Sequence, residues 1–79
     1  MHVVIAKVDE VLFDGEAESL TAPGTEGELT ALGHHMPLIT TLNAGVLVVR
    51  AASLTGGELL IPIESGILEA RPDGATVIL

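Results

Sequence analysis

Three histidines and eleven carboxylates are the groups in this chain best equipped to bind or to catalyse. His34 and His35 are adjacent, and His2 lies far from them along the sequence. Neighbours on an extended chain point to opposite faces, so His34 and His35 do not readily chelate one ion together. Only the fold can bring His2 to either of them. One or two such ligands fall short of the three or four that a zinc site uses, so no metal is expected. One histidine is expected at a loop or interface and the other in solvent. Carboxylates pair at Asp9-Glu10 and at Glu26/Glu28. A spacing of two puts Glu26 and Glu28 on one side of an extended backbone, although Gly27 between them loosens that constraint. So short a chain has little length to wall off a glycosidase-type acid pair. A solvated acidic loop is the plain reading, and an acidic loop that docks on a basic partner is the sharper one. The serines Ser19, Ser53 and Ser65 lack the Gly-x-Ser-x-Gly elbow, and Glu64-Ser65-Gly66 reads as a tight turn. Gly24-Thr25-Glu26-Gly27 lacks the lysine and following helix of a phosphate loop. No nucleotide, cofactor or other small-molecule ligand is expected.

Whatever positions these groups must be small. Seventy-nine residues make one domain, 1–79, that buries roughly 60–65% of its unfolded surface. There is no cysteine to staple it, and Phe13 is its only aromatic, so the core must be aliphatic. Yet 48% of residues are hydrophobic and the mean hydropathy is +0.60. Either the packing is efficient or another chain covers one face. The net charge is −8, with Lys7, Arg50 and Arg71 the only bases. No basic stripe is available to neutralise phosphates, which argues against nucleic acid. An anionic membrane surface would repel the chain, whereas a basic protein partner suits it. No apolar run approaches the ~20 residues that span a bilayer. The start, MHVVIAKVDE, has neither a basic leader nor a small-residue cleavage site, so a cytoplasmic location is expected.

Every segment reads as a short strand closed by turn chemistry. The expected strands are His2–Val8, Val11–Phe13, Glu16–Ala22, Glu28–Leu32, Val46–Ala52, Glu58–Ile63, Ile67–Ala70 and Ala75–Leu79. Pro37–Leu42 is a connector or a further strand. Turns are expected at Asp14-Gly15, Pro23-Gly24, Asn43-Ala44-Gly45, Thr55-Gly56-Gly57, Ser65-Gly66 and Pro72-Asp73-Gly74. Gly15, Gly24, Gly27 and Gly45 are read as turn residues with positive φ. This rhythm predicts an all-β fold, a small antiparallel sandwich of about eight to ten short strands. Two strands are apolar on both faces: Val46/Val48 stand opposite Leu47/Val49, and Leu60/Pro62 opposite Leu59/Ile61/Ile63. That pattern fits either an interface or a strand wedged centrally. Pro62 removes a ladder donor and belongs at an edge or a bulge.

Several pieces in order carry a resemblance over essentially the whole chain. They are Phe13-Asp14-Gly15, Pro23-Gly24-Thr25-Glu26-Gly27-Glu28, Leu32-Gly33-His34-His35-Met36-Pro37-Leu38, Gly45-Val46-Leu47 and Ser65-Gly66-Ile67-Leu68-Glu69-Ala70. Together they resemble the N-terminal β-sandwich of the F-type ATP synthase epsilon subunit. Gly33-His34 stands where that family usually has Pro-Gly before its key histidine, and Glu64-Ser65-Gly66 lacks a second glycine.

The resemblance implies a non-catalytic rotor subunit at the foot of the central stalk, with the gamma subunit and the polar loops of the c-ring as partners. It would couple proton or sodium flow to ATP synthesis and sit peripherally at the cytoplasmic face of the membrane. By the same resemblance Glu26, Glu28 and His35 face the ring, and Lys7 and His35 lie near gamma and the ring. Typical members continue into a two-helix regulatory domain that is absent before Leu79; if the chain is complete, that regulation is absent too. A generic β-sandwich adaptor, binding another protein through its apolar face, is the alternative.

Overall fold

The computed structural model describes residues 1–34 and 36–79. Nine strands follow one another: β1 (His2–Lys7), β2 (Glu10–Glu16), β3 (Ser19–Gly24), β4 (Gly27–Leu32), β5 (Leu38–Leu42), β6 (Gly45–Arg50), β7 (Glu58–Ile63), β8 (Gly66–Arg71) and β9 (Gly74–Ile78). One turn of 3-10 helix, Thr55–Gly57, lies in the β6–β7 loop. The fold is the expected all-β sandwich.

The strands form one continuous curled sheet in the order β2-β1-β9-β8-β5-β3-β6-β7, with β4 on the other side of β3. Strands β5 and β3 share a single pair, Gly24 with Leu42. That weak seam lets the sheet fold over into two leaves, β2-β1-β9-β8-β5 and β4-β3-β6-β7. All ladders are antiparallel except β1 with β9, which runs from His2–Gly74 to Ala6–Ile78. Alternate side chains of each leaf point inward. Val3, Ile5, Leu68 and Val77 of one leaf and Leu20, Leu47 and Val49 of the other are all fully buried. Burying each such side chain contributes about 1.5–3 kcal/mol, so an aliphatic core can hold this fold without aromatics.

Four local expectations are corrected. Asp14-Gly15 is not a turn, because β2 runs through it and ends at Glu16. A Cβ at Gly15 would make only ordinary contact with the Phe13 ring, at 3.5 Å, so space does not demand glycine there. The break falls at Ala17-Glu18, so the expected strand from Glu16 begins only at Ser19. Pro23-Gly24 likewise closes β3, and the turn follows at Thr25-Glu26. The Pro23 carbonyl accepts from the Asn43 amide at 2.8 Å, so its ring-blocked nitrogen faces the seam where β6 leaves and β5 arrives. No ladder donor is lost there. Of the four glycines expected at positive φ, only Gly27 has it, at 125°. Gly24 and Gly45 serve close approach: a Cβ would meet the Gly27 carbonyl oxygen at 2.7 Å or the Pro23 ring at 3.0 Å. Pro62 lies on β7, an edge strand, as its missing donor requires.

Candidate functional site

The strand connections gather at two ends of the sandwich. One end carries the turns after β1 (Val8-Asp9), β3 (Thr25-Glu26), β5 (Asn43-Ala44) and β7 (Glu64-Ser65), together with the end of β9. The other carries Ala17-Glu18, the turn at Gly33-His34, the β6–β7 loop and Pro72-Asp73.

At the first end the β3–β4 turn is pinned to β5. The Thr25 amide donates to the Thr41 carbonyl at 3.0 Å, and the two threonine hydroxyls lie 3.0 Å apart. Glu26 therefore projects from an anchored turn, with Gly27 supplying the positive φ that closes it. Glu28, opposite Pro23 in β4, is exposed beside it. Lys7 closes β1 at this same end, where the Leu79 amide donates to the Ala6 carbonyl at 2.9 Å. Lys7, Ala44, Pro62, Ile63, Glu64, Ser65 and Leu79 line an open depression of about 690 Å³ between the two leaves. Among the described residues, Lys7, Asp9, Glu10, Glu26, Glu28 and Glu64 form no ion pair.

The histidines are elsewhere. His34 sits in the turn before β5, and its amide donates to the Pro72 carbonyl at 2.8 Å, at the opposite end from Glu26. Its φ of 64° is the only positive value at a non-glycine among the described residues. His35 lies outside the described residues. His2 is held between the carboxylates of Asp14, at 2.7 Å, and Glu16, at 3.1 Å. These partners, Glu16 first and Asp14 second, raise the His2 pKa above its ordinary 6.5. Among the described residues no three His, Asp or Glu side chains are arranged to hold a metal ion.

The two doubly apolar strands leave one face open. In β6, Leu47 and Val49 are buried, while Val46 is 46% exposed and Val48 half-buried. In β7, Leu60 is 56% exposed beside exposed Pro62. The register sets Val46 against Pro62 and Val48 against Leu60, which makes one apolar patch on the outside of the sandwich. β6 is thus not wedged between layers; its second apolar face is uncovered. The other leaf carries a row that the residue pattern did not reveal: Thr41, Ile67, Ile78, Ala6 and Val11 are successive cross-strand neighbours on its outer face. Nothing local signals it, since each residue comes from a different strand.

Comparison with known proteins now decides the family. The profile of the family described as ATP synthase, Delta/Epsilon chain, beta-sandwich domain matches residues 1–79. The chain belongs to this family. The ATP synthase epsilon chain of Bordetella avium is 40% identical over 79 residues, covering 99% of this chain and 54% of the relative. That of Laribacter hongkongensis is 36% identical over 78 residues, covering 99% and 55%. The chain thus spans about half the length of the curated relatives it matches. In the cryo-EM structure of the Euglena gracilis mitochondrial ATP synthase OSCP/F1/c-ring assembly, one chain superposes with a TM-score of 0.82 at 22% identity, over 96% of this chain and 48% of that one. A chain of the Tetrahymena thermophila mitochondrial ATP synthase central stalk and c-ring does so with a TM-score of 0.76 at 15% identity, over 99% and 61%. At such identities these likenesses speak for the delta/epsilon sandwich fold.

Proposed function

We propose that this chain is the epsilon-type β-sandwich, one domain over residues 1–79, of the central stalk of an F-type ATP synthase. It joins the gamma subunit to the c-ring and carries out no bond chemistry of its own. Ring rotation would then turn the stalk, coupling proton or sodium flow to ATP synthesis, with the chain peripheral at the cytoplasmic face of the membrane. The family match along the whole chain carries this reading.

Two features of the sandwich support it. The outer patch of Val46, Val48, Leu60 and Pro62 offers gamma an apolar surface of the kind found in interface cores. Glu26 and Glu28, which form no ion pair among the described residues, offer basic or polar ring loops a complementary charge, with Lys7 at the same end. His35 enters through the family resemblance alone, as a residue facing the ring and near gamma.

The test is to mix this chain with the gamma subunit of the same source and to look for a one-to-one complex by native mass spectrometry. Val48→Asp should keep the fold and lose the complex, because Val48 faces outward. Leu47→Asp should unfold the chain, since it forces a charge into the core. No complex between folded wild-type partners would move the reading to a generic sandwich adaptor. If both variants unfold, the β6 patch is not a docking face.

A further inference from the structure

The His2 cluster takes no part in either docking surface, yet it stands at a mechanically exposed point. β2 is an edge strand whose only ladder among the described residues is with β1. A register shift between Ile5 and Ala6 divides that ladder, and in its second half Val4 pairs with Asp14 and His2 with Glu16. The His2 ring bridges the two carboxylates, with Nε2 2.7 Å from Asp14 Oδ1 and Nδ1 3.1 Å from Glu16 Oε2. A neutral imidazole has one N–H. Whichever nitrogen carries it, the other turns a lone pair toward a carboxylate. Only the imidazolium donates to both.

The surroundings do not replace it. From β9, Gly74 and Thr76 face this corner and carry no charge. Beyond them Arg71 of β8 is engaged with Glu69 at 2.8 Å, Asp73 at 3.5 Å and the Thr76 hydroxyl at 3.2 Å. The Met1 amine reaches Glu16 at 3.7 Å and leaves Asp14 to His2 alone among the described residues.

We propose that His2 is a proton-operated clasp on edge strand β2, fastening its Asp14–Glu16 end to β1 when protonated and releasing it when neutral. An edge strand presents unpaired backbone donors and acceptors, so its tether governs how readily the strand frays or pairs elsewhere. The raised His2 pKa keeps the clasp closed to higher pH than a free histidine would.

Two NMR readouts on the whole chain test this: the titration of the His2 ring, and the hydrogen-exchange protection of residues 13–16 across the same pH range. His2 should titrate above 6.5. Protection of 13–16, corrected for intrinsic exchange, should fall a few-fold with the same midpoint, while the β8–β9 ladder holds steady. His2→Gln should show the lower protection at every pH. Should His2→Gln fold poorly, the pair Asp14→Asn and Glu16→Gln should instead lower the His2 midpoint in a folded chain. Titration of wild-type His2 at or below 6.5, or an unchanged pH course of residues 13–16 in His2→Gln, overturns the clasp.

Discussion

The two ends of this sandwich hold similar numbers of acids in opposite states. Toward the end with His2 and His34, Asp14, Glu16, Glu58, Glu69 and Asp73 all face a cation of this chain: His2, the Met1 amine, Arg50 or Arg71. Among the described residues only Glu18 is left over there. At the end with Lys7 and Glu26, five acids and the one lysine form no ion pair among the described residues. Backbone hydrogen bonds tie down both ends, more of them at the first, and the contrast in charge lies in the side chains. One end satisfies its charge internally, and the other leaves it available to a partner. Stability should therefore respond to changes at the first end, and binding to changes at the second.

The strongest way to break that contrast is Gly74→Ala. A Cβ at Gly74 would overlap the His2 carbonyl oxygen and pry β1 from β9. A loss of about 3 kcal/mol is expected in urea unfolding. At the other end, Glu28→Lys should leave unfolding within about 0.5 kcal/mol of wild type. It should weaken attachment to the c-ring about tenfold at low salt, and less at high salt. Unchanged attachment would show that this end does not face the ring.

A smaller gain is expected at His34→Gly. His34 holds a φ of 64° that glycine adopts freely, so this variant should raise stability by about 0.5–1 kcal/mol. A drop in melting temperature would show that the His34 side chain contributes more than its backbone costs. The smallest effect concerns pH. The His2 pKa is raised on folding, so its contribution is fully present below 6.5 and is lost as pH rises through the folded value. The stability difference between wild type and His2→Gln should shrink accordingly in denaturant titrations run along that range. A difference that grows with pH would contradict the paired state of this end.

Much of this was legible in the residues, and what was not has a common cause. Alternation and turn chemistry placed nearly every strand, and Pro62 marked its edge. The failures came where a glycine or proline answered to something distant in sequence or in space. Gly45 makes room for the Pro23 ring, and Pro23 turns its missing donor to a seam that only the β3–β5 corner creates. The parallel β1–β9 ladder leaves no local signature. The candidate site was legible in part for the same reason. Lys7, Glu26 and Glu28 do share one end, but their unpaired state could not be read, because pairing depends on register. Asp14 and Glu16 look as solvated in the sequence as Glu26 and Glu28 do. Only the β1–β2 hairpin puts His2 between them.

The pairing of the first strand with the last also bears on how the chain is made. A ribosome delivers β1 long before β9, and until then β1 has only β2 beside it. The leaf that holds Val3 and Ile5 cannot close while residues 74–78 are still in the exit tunnel. Long-range ladders of this kind form late and slowly. The nascent chain must therefore carry the apolar strand β1 unfinished until residues 74–78 have emerged, and guarding that strand falls to whatever chaperone meets it at the ribosome.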